Sequence, residues 1–275
     1  MKTIFALTTA LFLVGCGADE DDVENAENAE NVGSVESPEN PEVFVETFDG
    51  KLSQFGQILS KKRYAALVEQ QGQQNSKAMK VTYQGFEQGS YRVYAAANLA
   101  EPALQYKMSF AVKFCDDFDF VLGGKLHGLG PENPITGGDP ITDEGWSARL
   151  MFGPQGSLRT YVYHQDMKGK FGDIKVAEDF RFVPGIYHQI EMLVSLNTAP
   201  QLADGKVVVS VDGAELIYHD KLRFRAKDTA ASLINKMIFI TFHGGATPDW
   251  APRTEDGSYN AECAYFDNFV VSKVL

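Results

Sequence analysis

From residue 44 onward, apolar and polar positions alternate with the period of β-strands. Tyr106, Met108, Phe110, Val112 and Phe114 alternate with Lys107, Ser109, Ala111 and Lys113, as in a strand with one face buried. The same period runs through Trp146, Ala148, Leu150 and Phe152, and through His188, Ile190, Met192, Val194 and Leu196. Val207 to Val211 leads into Asp212-Gly213, a hairpin turn signal, and Glu215 to Tyr218 returns. Ile238, Ile240 and Phe242, then residues 265–271, complete the set, and only residues 221–235 offer a short helix or long loop. Many strands separated by turn residues predict an all-β fold, an antiparallel β-sandwich. Nothing looks like a repeat array, and nothing marks a second domain.

The charge of the 275-residue chain, −12, is unevenly placed. Residues 17–43 hold ten acids and no base, leaving −3 for residues 44–275. The acidic stretch, with its Glu-Asn-Ala repeats, cannot bury a core and reads as a disordered tether. The folded part is near neutral and need not repel an anionic ligand, while the acidic balance argues against a nucleic-acid partner. No apolar run is long enough for a membrane-spanning helix. Residues 1–16 carry Lys2, an apolar core from Ile4 to Val14, then Gly15-Cys16. This resembles a bacterial lipoprotein signal, which implies lipidation at Cys16, a membrane anchor, and, with Gly17 rather than Asp following, the outer membrane. Export implies an oxidising compartment, where Cys115 and Cys263 either pair or remain two buried thiols. A monomer is expected.

The polar faces of the strands carry the candidate chemistry. Ser147 and Arg149 project from one side of their strand, opposite Trp146 and Leu150. Arg159, Tyr161 and Tyr163 share a face, Lys125 follows Gly123-Gly124, and Thr241 and His243 face away from Ile240 and Phe242. If these strands are neighbours, one sheet face gathers cations and tyrosines with few carboxylates, a composition suited to an anionic sugar.

Gly123-Gly124-Lys125-Leu126, Trp146-Ser147-Ala148-Arg149-Leu150-Met151, Tyr161-Val162-Tyr163, Thr241-Phe242-His243-Gly244-Gly245 with Trp250-Ala251-Pro252, and Tyr265-Phe266-Asp267-Asn268-Phe269 resemble polysaccharide lyase family 14. The likeness spans roughly residues 78–272. It implies a jelly roll of the concanavalin-like kind over 44–275 and β-elimination of a 4-linked uronate polymer, alginate or glucuronan. The family's lysine matches Lys125, its serine and arginine match Ser147 and Arg149, and its paired tyrosines match Tyr161 and Tyr163. The chain departs from the family where His127 replaces a proline, and where Pro131 to Glu144 replaces a Gly- and Cys-containing loop.

Such an elimination removes the C5 proton, expels O4 and builds charge on the C6 carboxylate. A cation there stabilises the transition state more than the ground state. Lys125, helped by Arg149, is expected to neutralise that charge. Tyr161 and Tyr163 are expected to move the protons, their phenols made more acidic by the neighbouring cations. Ser147 is expected to orient the carboxylate, with His127, Arg159 and His243 lining the substrate and His188 in the core. No cofactor is expected. No His/Asp cluster has zinc spacing, and Asp49 with Asp267 is a weak pair for a structural calcium. A sandwich glycosidase would need a Glu-x-Asp-x-x-Glu strand or a similar carboxylate pair, and residues 44–275 contain no such motif. A non-catalytic carbohydrate-binding sandwich remains the rival.

Overall fold

A computed structural model describes residues 43–274. Residues 1–16, with Cys16, and nearly all of the acidic stretch lie outside that range. The described strands are β1 (Val43–Glu46), β2 (Ala65–Val68), β3 (Ala78–Phe86), β4 (Gly89–Ser90), β5 (Val93–Ala103), β6 (Gln105–Phe114), β7 (Gly124–Gly130), β8 (Ser147–Phe152), β9 (Ser157–Tyr163), β10 (Val176–Arg181), β11 (His188–Ser195), β12 (Gly205–Val211), β13 (Ala214–Leu222), β14 (Ile234–His243) and β15 (Ala261–Lys273). They form two antiparallel sheets. One has the order β13-β12-β11-β6-β15-β3-β2, with β1 added on β15 and β4 on β3; the other runs β10-β9-β8-β7-β14-β5. The sheets pack face to face as a jelly-roll sandwich.

The alternating positions explain the packing. Met108, Phe110, Val112 and Phe114 of β6, Ile190, Met192 and Val194 of β11, and Val207, Val209 and Val211 of β12 all enter one core with Leu126, Leu150, Phe152 and Phe239 of the opposite sheet. Asp212 and Gly213 both adopt positive φ, 52° and 84°, as the tight β12–β13 hairpin requires. The Asp212 carboxylate accepts from His188 Nδ1 at 2.9 Å and from the Gln189 amide. His188 is thus a buried core-edge histidine, as its position on an apolar face predicts.

Residues 221–235 hold no α-helix; they finish β13, make one 3-10 turn at Ala230–Ser232 and enter β14. The single described α-helix, α1 (Gln54–Leu59), lies elsewhere and has no counterpart in the sequence reading. The Ser53 Oγ accepts from the Gly56 amide at 3.1 Å, an N-cap, and Phe55 and Leu59 point into the core. Cys115 and Cys263 are joined, with Cα atoms 5.4 Å apart and a separation of 148 positions in sequence. The bridge ties the end of β6 to β15 beside an existing ladder.

Candidate active site

The outward face of the six-stranded sheet carries the chemistry, and strand register arranges it in rows. Phe242, Lys125, Met151 and Arg159 lie side by side across β14, β7, β8 and β9. The next row reads Ala96, Ile238, Gly128, Arg149 and Tyr161. Ser147 stands opposite Tyr163 in a third. Lys125, Arg149, Tyr161 and Tyr163 therefore meet on one face. The Lys125 Nζ sits 4.0 Å from the Tyr161 ring centroid and 3.3 Å from the Met151 Sδ. The Arg149 guanidinium lies 5.3 Å from the Tyr161 ring and 5.7 Å from that of Tyr163.

Gly128 makes room for Arg149. A Cβ there would fall on the Ala148 carbonyl and the Arg149 side chain, so only glycine allows the guanidinium to cross the strand. Gly123, at φ 114°, is needed for approach by the protein itself, because a Cβ would strike the Phe152 carbonyl rather than a ligand.

Burial sets the electrostatics. Arg149 is 2% exposed, and its Nε and Nη2 have no hydrogen-bond partner among the described residues. Burial, reinforced by the Arg149 charge, lowers the Lys125 ammonium to about 7, so it is largely neutral just above neutral pH. Tyr161 departs from expectation. Burial first, then its hydrogen bond to Tyr163, lifts the Tyr161 phenol above the ordinary phenol range, and the opposing pull of Arg149 is smaller. The cations do not turn Tyr161 into a base; desolvation keeps it protonated.

The loop between β7 and β8 closes over this face. The Gly138 amide donates to the Tyr163 hydroxyl at 3.0 Å, and the two tyrosine hydroxyls are 3.2 Å apart. Since the amide only donates, Tyr163 accepts there, while between the two phenols either hydroxyl can be the donor. Ile135, Ile141 and Met167 pack on Met151, Tyr161 and Tyr163.

Three expected substrate contacts are corrected. His127 is 0% exposed and stacks on Phe239 at 4.0 Å in the core. Between Lys125 and Gly128 the register of β7 slips against both neighbours, and this bulge turns His127 inward although it stands two residues from Lys125. Its Nδ1 accepts from the Ile240 amide at 3.2 Å, and burial lowers it to about 3. His243 does face away from Phe242, but toward the core: it stacks on Phe118 and donates from Nε2 to the Asp119 carbonyl at 2.8 Å. Ser147 is buried and its hydroxyl donates to the Ile135 carbonyl at 2.7 Å; it holds the loop rather than a ligand. Arg159 stays on the outward face, its Nε donating to the Ser157 Oγ at 3.2 Å.

The aspartates considered for calcium have other partners. Asp267 accepts from the Gln73 and Asn268 amides and the Ser76 hydroxyl, and Asp49 accepts from the Lys77 amide. Among the described residues, no three His, Cys, Asp or Glu side chains are grouped to hold a metal. Arg92, just before β5, and Tyr94 within it, absent from the sequence reading, border the same face beside Arg149.

Fold and site together define a jelly-roll sandwich with a buried cationic site, lined by phenols, on one sheet face. The polysaccharide lyase 14 family model matches residues 71–268, and the chain belongs to that family: it is a polysaccharide lyase. The fold is similar to that of alginate lyase Aly36B, with 23% identity, 85% of this chain and 98% of that chain covered, and a TM-score of 0.67. It is also similar to the marine PL-14 alginate lyase from Aplysia kurodai, with 23% identity, 77% and 87% covered, and a TM-score of 0.63. The endo-β-1,4-glucuronan lyase from the fungus Trichoderma reesei shares the fold at 13% identity, with 84% and 95% covered and a TM-score of 0.56. No curated protein matches the chain significantly in sequence.

Proposed function

We propose that this protein cleaves a 4-linked uronate polymer, alginate or glucuronan, by β-elimination. One observation carries the reading: Lys125 and Arg149, two largely buried cations, share a face with a tyrosine pair, and neither is paired with a carboxylate among the described residues. Buried charge without a counter-ion is costly, and the carboxylate of a bound uronate supplies what is lacking. Names of similar structures support the substrate class. They include alginate lyases, a glucuronan lyase, and an Aly36B mutant, one lysine and one tyrosine changed to alanine, in complex with an alginate tetrasaccharide.

The roles follow from burial. Arg149 faces the C6 carboxylate and stabilises the charge that grows there as C5 loses its proton. Lys125, neutral in an appreciable fraction at pH 7, takes that proton. The C5 electron pair forms the C4–C5 double bond, the C4–O4 bond breaks, and Tyr161 gives its proton to O4. Lys125 is then an ammonium and Tyr161 a phenolate, and one proton transfer between these neighbours restores both. Tyr163 orients Tyr161. Compared with the sequence reading, Lys125 exchanges carboxylate neutralisation for proton abstraction, and Arg149 takes over the former.

The test is ultraviolet absorbance of the unsaturated uronate formed on alginate, polymannuronate, polyguluronate and glucuronan. Only elimination makes the chromophore. Retention of these polymers without any chromophore would establish the carbohydrate-binding alternative instead.

A further inference from the structure

Beside Arg149 the outward face opens into a cavity of about 220 Å³, lined by Arg92, Tyr94, Pro134, Thr136, Arg149, Ile238 and Ile240. Its origin is legible in the register. Ile238 and Arg149 flank Gly128 in one row, and Tyr94 stands opposite Ile240 in the adjoining strands. Gly128 lets the Arg149 side chain lie across its strand, and the cavity lies between that side chain, Ile238 and Ile240, walled by Pro134 and Thr136 of the loop.

The lining is amphipathic in a particular way. Ile238, Ile240 and Pro134 give an apolar wall, Tyr94 is a partly exposed phenol, and Thr136 adds a hydroxyl. Arg92 and Arg149 bring two guanidinium groups to one small volume, close enough that the charge of Arg92 acts against that of Arg149. No carboxylate lines the cavity. Two like charges held at a hollow, with Arg149 buried and partly unpartnered, favour an anionic occupant. A pyranose has apolar C–H faces, hydroxyls at its rim and, in a uronate, one carboxylate; the wall matches each.

We propose that this cavity is the subsite for the uronate adjoining the one that loses its C5 proton, with Arg92 recognising its carboxylate and Tyr94 packing on its ring. This rests on the lyase reading for the identity of the neighbouring sugar. Arg92 is a specificity-determining residue: it makes no contact with the reacting atoms, and its loss weakens binding while leaving the chemical step intact.

The test separates binding from turnover. In the Lys125→Ala protein, which cannot consume its ligand, calorimetry measures the affinity for a uronate trisaccharide with and without Arg92→Ala. Loss of a charge-assisted pair is expected to weaken binding about tenfold or more, with Arg92→Lys in between. A neutral trisaccharide of the same linkage should not distinguish the proteins. With Lys125 intact, Arg92→Ala should raise KM and leave kcat within about twofold. Equal trisaccharide affinities would overturn the proposal, as would a collapse of kcat at unchanged KM. Absence of chromophore from the wild-type protein would instead defeat the lyase reading, and the calorimetric comparison would still decide whether Arg92 reads a carboxylate.

Discussion

The Lys125 ammonium lies 4.0 Å from the centre of the Tyr161 ring, so the group that takes a proton and the group that gives one are neighbours before substrate arrives. The ring face offsets part of the cost of burying the charge, and burial lowers the ammonium to about 7. The kcat/KM profile should therefore rise with pH through about 7 and lose roughly tenfold per unit below it. Lys125→Ala should abolish turnover by orders of magnitude at every pH. A retained acid limb in a residually active Lys125→Ala protein would assign that limb to another group.

Stability should depend on the same group. The folded-state value of Lys125 lies below its unfolded value, so the unfolded chain binds more protons between about 7 and 10.5, and stability rises with pH across that window. Lys125→Met should raise stability at pH 7 by roughly 1–3 kcal/mol, by removing a poorly compensated buried charge. Urea unfolding at pH 7 and pH 10 should show that gain shrinking at the higher pH.

The two tyrosines should separate kinetically. Tyr161→Phe removes the proton donor and should cost kcat about 10²- to 10⁴-fold. Tyr163→Phe removes the acceptor of the Gly138 amide and the hydrogen bond that orients Tyr161; roughly tenfold is expected. Single-turnover rates on one polymer give both numbers. A larger loss at Tyr163 would reverse the assignment.

Buried His127 and His243 should govern acid sensitivity. Burial lowers them to about 3 and about 4, below the unfolded value of 6.5, so their contribution is present above pH 6.5 and is lost as pH falls toward 4 and 3. The urea midpoint should decline steadily below pH 6.5. In His127→Leu, less stable at pH 7 because the Ile240 amide loses its acceptor, that decline should be shallower.

Cys263→Ser should cost about 2–4 kcal/mol, because the bridge closes a long loop of the unfolded chain. The folded fraction should keep its lyase activity, since the bridge lies between β6 and β15 of the other sheet. Equilibrium unfolding with and without reductant checks both the size of the effect and its absence in the variant.

At the N-terminus we propose lipidation of Cys16. Cys16→Ser should release the protein from the membrane fraction and remove metabolic fatty-acid label. Unchanged fractionation and labelling would refute the anchor.

Much of the sandwich was legible because period 2 survives along β6, β8, β11 and β12, where one face meets the core. The shared face of Arg149, Tyr161 and Tyr163 followed from the same parity. What parity cannot show is a bulge: the slip between Lys125 and Gly128 leaves no mark in the order of residues, yet it reverses His127. Nor can it say which of two faces is inside, which misplaced His243. The phenol acidity failed for a different reason, since the covering loop and its desolvation are long-range consequences of folding. Arg92 and Tyr94 did leave a signal: they stand two apart at the start of β5 and add a further cation and phenol. Ser53 ahead of Phe55, Ile58 and Leu59 likewise marked α1 in cap and spacing.

Two of the bonds that hold the β7–β8 loop, Ser147 to Ile135 and Gly138 to Tyr163, are made to the catalytic sheet. Variation in this loop is therefore never confined to the choice of polymer. A new loop sequence that admits a different sugar also shifts the Tyr163 hydroxyl and, through its contact with Tyr161, the donor to the leaving oxygen. Selectivity and speed are inherited together here, and a transplanted loop should shift both unless it brings its own amide to the position of Gly138.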